Sequence, residues 1–117
     1  MDGQIYWILE VAIQPGQLEN FKSVANDLIA SAKSESGTLN YEWNLSADKT
    51  VCHIYERYAN SAAILIHVQS IGQFAKRFME ACRPTRFHVY GSPSAKVKAA
   101  LADLNPVYLS HLAGFSR

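Results

Sequence analysis

The chain has 117 residues, of which 49% are hydrophobic and 18% charged, and its formal net charge is +1. This size and composition are typical of one globular domain, which we predict to span residues 1–117, with a core at about 4–90 and a C-terminal extension at about 91–117. Because the charge is nearly balanced and no dense basic stretch occurs, neither nucleic acid nor an acidic membrane is an expected partner.

The sequence also predicts a cytoplasmic protein. Asp2 and Glu10 interrupt the N-terminal apolar run, so no signal peptide is expected, and no apolar run approaches the ~20 residues of a membrane span. Cys52 and Cys82 lie in apolar patterns that are typical of reduced core cysteines.

The first half of the chain alternates strands with a helix. Period-two alternation predicts a strand over residues 4–13, and an apolar stripe at spacings of three and four predicts a helix over 17–33. Gly37 is expected to end that helix region in a left-handed conformation. Strands over 38–45 and 50–58 are predicted to form a hairpin around a turn at 46–49.

The second half starts with a helix capped by Asn60 or Ser61 and bent at Gly72. Pro84 is expected to end this helical region. A fourth strand over 86–90, a short helix over 95–104 and a last strand over 107–112 are predicted to follow.

This order of elements is βαββαβ with an addition at the C-terminus, the pattern of an α+β ferredoxin-like fold with an antiparallel sheet. Its main helices cover one face of the sheet and leave bare the face that carries Tyr6, Ile8 and Ala12. We therefore expect a homodimer that packs sheet against sheet, a dimeric α+β barrel. The alternative is that the C-terminal segment covers this face.

The hairpin register decides which side chains meet. Pairing Trp43 with Cys52 and Tyr41 with Ile54 sorts polar from apolar residues. The apolar face then holds Leu39, Tyr41, Trp43, Leu45, Ile54, Glu56 and Tyr58. On the polar face, this register predicts that His53 lies beside Glu42.

Two ionisable side chains are then set among apolar ones. Glu56 is costly to bury unless it is paired, so it either accepts structural hydrogen bonds or takes part in proton transfer. His67, on the apolar stripe of the second helix, is either a satisfied core residue or a proton acceptor for a phenol or quinol. Tyr41 and Trp43 are either core or the walls of a pocket for an aromatic ring.

Metal and cofactor signatures are missing from the sequence. The four histidines have no short ligand spacing, the two cysteines form no CxxC pair, and no glycine-rich phosphate loop occurs. We expect neither a metal site nor a bound cofactor.

A set of short motifs resembles the antibiotic biosynthesis monooxygenase family. The motifs are Glu35-x-Gly37, Tyr41, Tyr55-Glu56-Arg57-Tyr58, Ala63, His67 and Phe74. Two positions depart from the family pattern, since Ser36 replaces a frequent proline and Tyr58 a frequent tryptophan.

The resemblance implies a homodimer that oxidises a hydroxylated aromatic or quinol with dioxygen and needs no metal or flavin. It implies His67 and Glu56 as catalytic residues, with His67 as the base, and Tyr41, Trp43 and Tyr58 as substrate-binding residues. Heme-degrading members carry Asn, Trp and His where this chain has Leu9, His67 and Arg77, so heme degradation is not expected. The alternative function is a non-catalytic homodimer that binds a small molecule.

Overall fold

A computed structural model describes residues 3–117 of the chain. Within that range the chain forms five strands and four α-helices. They are β1 (Ile5–Ile13), α1 (Leu18–Ala32), β2 (Thr38–Leu45), β3 (Val51–Tyr58), α2 (Ser61–Ile71), α3 (Ala75–Ala81), β4 (Cys82–Tyr90), α4 (Ala95–Leu101) and β5 (Val107–Leu109). None of these helices is long and apolar enough to cross a membrane.

The strands form one sheet in the order β2-β3-β1-β4-β5. The pairs β2–β3, β3–β1 and β1–β4 are antiparallel, which confirms the predicted α+β ferredoxin-like fold. The prediction of a purely antiparallel sheet is wrong at one edge, because β5 pairs with β4 in parallel. The connection between β4 and β5 passes through α4, and a crossover of this kind lets two neighbouring strands run in the same direction.

One face of the sheet holds the core. Ile5, Trp7, Leu9 and Val11 of β1 are buried there and pack with the helices, as the alternation predicts. Val97 and Leu101 of α4 join this same cluster, so α4 does not cover the opposite face. On that opposite face Tyr6 stacks on Tyr90 with ring centroids 4.9 Å apart.

The hairpin register differs from the predicted one by two residues. Trp43 pairs with Ile54, and Tyr41 pairs with Glu56. The turn lies later than expected, because Asp48 accepts hydrogen bonds from Ser46 and Thr50 and Lys49 adopts a positive φ of 63°. A two-residue offset keeps each side chain on its predicted face, whereas an offset of one would invert them.

Two smaller predictions are also wrong, the first because of this offset and the second because of a bulge. His53 does not lie beside Glu42; its Nε2 is 2.9 Å from Oε2 of Glu10 on β1. Leu39 is exposed instead of facing the core, because the ladder shifts between Thr38 and Asn40 and leaves it as the extra residue of a bulge.

Gly37 has a different role from the predicted one, since its φ is not positive. A Cβ at this position would lie 2.5 Å from the Cβ of Ala63 on α2. The absence of a side chain therefore lets the segment between α1 and β2 approach α2. This close approach brings Glu35, two residues earlier, beside α2.

Other boundaries follow local signals. Asn60 caps α2 by accepting a hydrogen bond from the Ala63 backbone N–H, and a 3₁₀ turn at Gly72–Phe74 separates α2 from α3, as predicted. Pro84 does not end the helix. It lies within β4, which starts at Cys82, and a ladder shift that leaves Thr85 unpaired accommodates it.

The C-terminal elements are shorter than predicted. The helix over 95–104 is α4 followed by a 3₁₀ turn at Ala102–Leu104, and the chain leaves it through Asn105 in a left-handed conformation. The last strand ends at Leu109 instead of residue 112.

Replacing Gly37 by Ala tests the close approach. Overpacking of this kind costs about 1–3 kcal/mol, so we expect Gly37→Ala to lower the free energy of unfolding in urea by that amount. The matched control is Gly72→Ala, since a Cβ there meets nothing within 4 Å and its φ of −54° suits alanine. It should be neutral or stabilise by about 0.4–1 kcal/mol. A Gly37→Ala protein as stable as the original chain would refute the contact.

Candidate functional site

A cavity of about 210 Å³ lies between the core face of the sheet and the helices. Apolar and aromatic side chains form most of its wall, contributed by β1, β4, α1, α2, α3 and α4. Its ionisable lining residues are Tyr41, Glu56 and His67. An apolar cavity of about 150 Å³ can hold benzene, so this one has room for a substituted aromatic ring.

A row of buried ionisable groups stands at the β2–β3 side of the cavity. The imidazole of His67 lies between two carboxylates, with Nδ1 2.8 Å from Oε1 of Glu35 and Nε2 3.4 Å from Oε1 of Glu56. His67 is only 1% exposed, Glu56 5% and Glu35 8%. When both ring nitrogens face carboxylates, both act as donors, which is the state of the imidazolium cation.

Further hydrogen bonds hold Glu35 in place. The hydroxyl of Thr38 donates to Oε1 at 2.7 Å, and the hydroxyl of Ser70 on α2 donates to Oε2. Burial raises the pKa of Glu35, but these two hydrogen bonds and the one from His67 outweigh it, so the pKa lies below its ordinary value of 4.5. Glu35 is therefore a fixed anion.

The pKa of His67 follows from the same contacts. Burial lowers it, but the hydrogen bonds and charges of Glu56 and then Glu35 outweigh burial and raise it above the ordinary value of 6.5. The cation is favoured because two anions are within reach of its two N–H groups.

Glu56 is held from one side. The hydroxyl of Tyr58 donates to its Oε1, the same oxygen that faces His67. Within residues 3–117 no hydrogen bond reaches Oε2, and Glu56 lines the cavity. Burial first, and then the charge of Glu56, raise the pKa values of Tyr41 and Tyr58 above their ordinary value, so both tyrosines stay neutral phenols.

Most of the chain matches a known family. The model of the antibiotic biosynthesis monooxygenase family matches residues 5–83, more than half of the chain. The chain belongs to the antibiotic biosynthesis monooxygenase family. In this member, Glu35, Glu56 and His67 all lie within the matched segment.

Solved structures agree with this fold. MupZ from Pseudomonas fluorescens has a TM-score of 0.89 and 23% identity, covering 99% of this chain and 96% of MupZ. SnoaB, a cofactor-independent oxygenase from Streptomyces nogalater, has a TM-score of 0.67 and 10% identity, covering 80% of this chain and 96% of SnoaB. Rv0793 from Mycobacterium tuberculosis has a TM-score of 0.68 and 19% identity, covering 78% of this chain and 96% of its own. The search of curated proteins found no match.

The five residues that the sequence singles out do not all reach the cavity. His67, Glu56 and Tyr41 line it, and the Tyr41 and His67 rings meet edge to face at 5.2 Å. Tyr58 is fully buried behind Glu56 and outside the lining. Trp43 lines a separate hollow with Phe21 of α1, so the predicted contact of Trp43 and Tyr58 with a bound ring finds no support in this geometry.

Sequence reasoning missed the part that Glu35 plays in the site. Glu35 entered only as part of a turn motif, because it lies 32 residues from His67 and no local periodicity links the two. One signal in the sequence could have indicated it. Glu35 is a charged residue two positions before Gly37, and a glycine there is consistent with a segment that packs closely on a helix.

The ion pair predicts a pH window of stability. His67 has a raised pKa, so its contribution is complete below pH 6.5 and is lost as pH rises through the folded-state value. Glu35 has a lowered pKa, so its contribution is complete above pH 4.5 and is lost as pH falls through the folded-state value. Together they give the largest pair contribution between pH 4.5 and 6.5.

Glu35→Gln should remove the contribution of Glu35 to this window and leave only the part that Glu56 gives to His67. We expect the difference in unfolding free energy between the original chain and Glu35→Gln, measured in urea, to be greatest inside it and to shrink on both sides. The control is His53→Gln, which removes a half-exposed pair with Glu10 and should leave the window unchanged. A pH-independent difference for Glu35→Gln would contradict the charged pair.

Proposed function

We propose that the protein is a monooxygenase that oxidises a small hydroxylated aromatic, a phenol or quinol, with dioxygen and without a cofactor. The observation that carries the proposal is the row Glu35–His67–Glu56. It ends at the wall of an apolar cavity that is large enough for one substituted aromatic ring. Membership of the antibiotic biosynthesis monooxygenase family and the likeness to SnoaB support it.

The geometry favours Glu56 as the base, where the sequence suggested His67. An imidazolium with both N–H groups engaged has no lone pair with which to accept a proton. Oε2 of Glu56 is an acceptor without a partner in residues 3–117, and Glu56 lines the cavity. A carboxylate oxygen left free at the wall of an apolar cavity is within reach of the proton of a bound hydroxyl.

His67 then acts as the positioning and charge-compensating group. Its N–H toward Oε1 orients the Glu56 carboxylate, and Tyr58 does the same from the other side. When the substrate becomes an anion, the imidazolium keeps a positive charge near it in a site of low dielectric. Tyr41 would form the wall beside the reacting ring.

The reaction balances without an external reductant. The substrate loses its hydroxyl proton to Glu56, and the resulting anion gives one electron to dioxygen. The two radicals join in a C–O bond at a ring carbon that bears hydrogen, and Glu56 returns its proton to the peroxide to give a hydroperoxide. Loss of water from that carbon leaves a carbonyl there. A phenol and dioxygen thus give a quinone and water, with all four electrons taken from the substrate. The protein need only bind, deprotonate and exclude bulk water.

We also propose that the protein is a homodimer through the bare face of the sheet. Tyr6, Ile8 and Tyr90 are only half buried there. Tyr6 and Tyr90 line a hollow together with residues 109–116 of the C-terminal tail, whereas Ile8 is not among the residues of that hollow. A second copy packed on this face would bury these aromatic and aliphatic side chains in an isologous interface.

Glu56→Gln tests the base. A positioned base contributes about 10²–10⁴-fold, so oxygen uptake with a hydroquinone or naphthol should fall by that factor while ligand binding to the folded variant stays close to the original. Glu42→Gln, an exposed change on the neighbouring strand, should keep full uptake. Unchanged uptake in Glu56→Gln would refute the role. Tight binding without any turnover across a quinol panel would favour the non-catalytic alternative.

Light scattering tests the dimer. At micromolar concentration we expect a mass of twice the 13.0 kDa of the single chain. Ile8→Glu puts a charge in the centre of the proposed interface and should shift the mass toward the single chain. Ile66→Glu is the control, since Ile66 is 58% exposed on α2 and away from that face. A stable single chain before any substitution would contradict the dimer.

A further inference from the structure

The C-terminal extension contributes one wall of the cavity. Ala100 and Leu101 of α4 and Leu104 of the following 3₁₀ turn line it, opposite side chains from the sheet and from α2 and α3. These residues lie beyond residue 83, where the match to the family ends. This wall is therefore built from a part of the chain that the family pattern does not specify.

The sheet order gives the cavity a polar end and an apolar end. Tyr41 and Glu56 belong to β2 and β3, whereas Phe87 belongs to β4, with β1 between β3 and β4. Glu56 pairs with Trp7 of β1, whereas Phe87 pairs with Leu9. Two strand spacings of about 4.8 Å and two residues along the strand therefore separate Glu56 from Phe87 by about 12 Å. The extension lies on the β4 side, since Lys98 of α4 is 5.0 Å from the ring of Tyr108 on β5.

The exposure of the lining side chains shows which of them lie at the mouth of the cavity and which lie deeper. Leu101 is 4% exposed and belongs to the core cluster, and Leu104 is half buried. Ala100 is exposed and yet lines the cavity, so it stands at the rim. Its neighbour Ala99 is also exposed on the same helix and is not a lining residue. A single methyl group thus occupies the point where a longer side chain would narrow the cavity.

We propose that Ala100 and Leu104 determine the length of the ligand that the cavity accepts. The favoured class is a phenol with an apolar substituent opposite its hydroxyl and a free ring carbon beside the hydroxyl, so that the hydroxyl meets Glu56 and the substituent extends toward α4. The inference deepens the proposed function and rests on its assignment of the hydroxyl-binding end.

Binding of a 4-alkylphenol series to the full chain tests the proposal without any turnover. The probes are 4-ethyl-, 4-butyl- and 4-hexylphenol, with dissociation constants measured by calorimetry. Burying one methylene strengthens binding by about fourfold, so affinity should rise along the series. In Ala100→Phe the ratio of hexyl to ethyl affinity should fall by about tenfold or more, because the ring fills the space of the last methylenes. Ala99→Phe, the matched control, should keep the original ratio.

A second variant should increase the length of the ligand that the cavity accepts. Leu104→Ala removes side-chain volume from the same wall and so enlarges the cavity. It should raise the ratio of 4-hexylphenol to 4-ethylphenol affinity above that of the original chain. The proposal is overturned if Ala100→Phe and Ala99→Phe give the same ratio, if affinity does not rise with chain length, or if no member of the series binds. The proposal is supported if affinity rises with chain length in the original protein and this rise is lost in Ala100→Phe, even if no oxygen is consumed. The absence of oxygen uptake would refute only the proposed oxidation.

Discussion

The structure depends on one costly interaction, the burial of His67 between Glu35 and Glu56. Three ionised side chains removed from water would each be destabilising alone, and removing one partner would leave an uncompensated buried charge. The arrangement is tolerated because each member has several partners: Thr38 and Ser70 on Glu35, and Tyr58 on Glu56. This burial gives the cavity its reactive end, since the row Glu35–His67–Glu56 meets an otherwise apolar wall.

The fold brings these residues together from three separate elements. Glu35 lies between α1 and β2, Glu56 on β3 and His67 on α2. Gly37 lets its segment lie against Ala63, one helical turn before His67, which brings Glu35 within 2.8 Å of the imidazole. The pairing of Tyr41 with Glu56 then puts the phenol of β2 beside the carboxylate of β3. Backbone packing thus determines the chemistry of the site.

Alternation and helical periodicity were sufficient to predict the order of the elements, the side of the sheet on which Glu56 and Tyr58 lie, and the helix stripe that holds His67. They could not predict the hairpin register, because a turn organised by Asp48 and Lys49 moves it by two residues without changing any face. Nor could they link Glu35 to His67 or bring α4 to the cavity, since both depend on contacts between distant parts of the chain. Local patterns carry information about faces, whereas sites depend on tertiary distances.

The choice of base depends on the ionisation state of His67, which nitrogen NMR of its ring measures directly. The contact with two carboxylates predicts a titration midpoint above the ordinary value of 6.5, with both ring nitrogens protonated below it. It also predicts that the ring resonances respond to Glu35→Gln and to Glu56→Gln alike, because each carboxylate faces one nitrogen. A neutral imidazole with a midpoint below 6.5 would contradict the charged row and the assignment of Glu56 as the base.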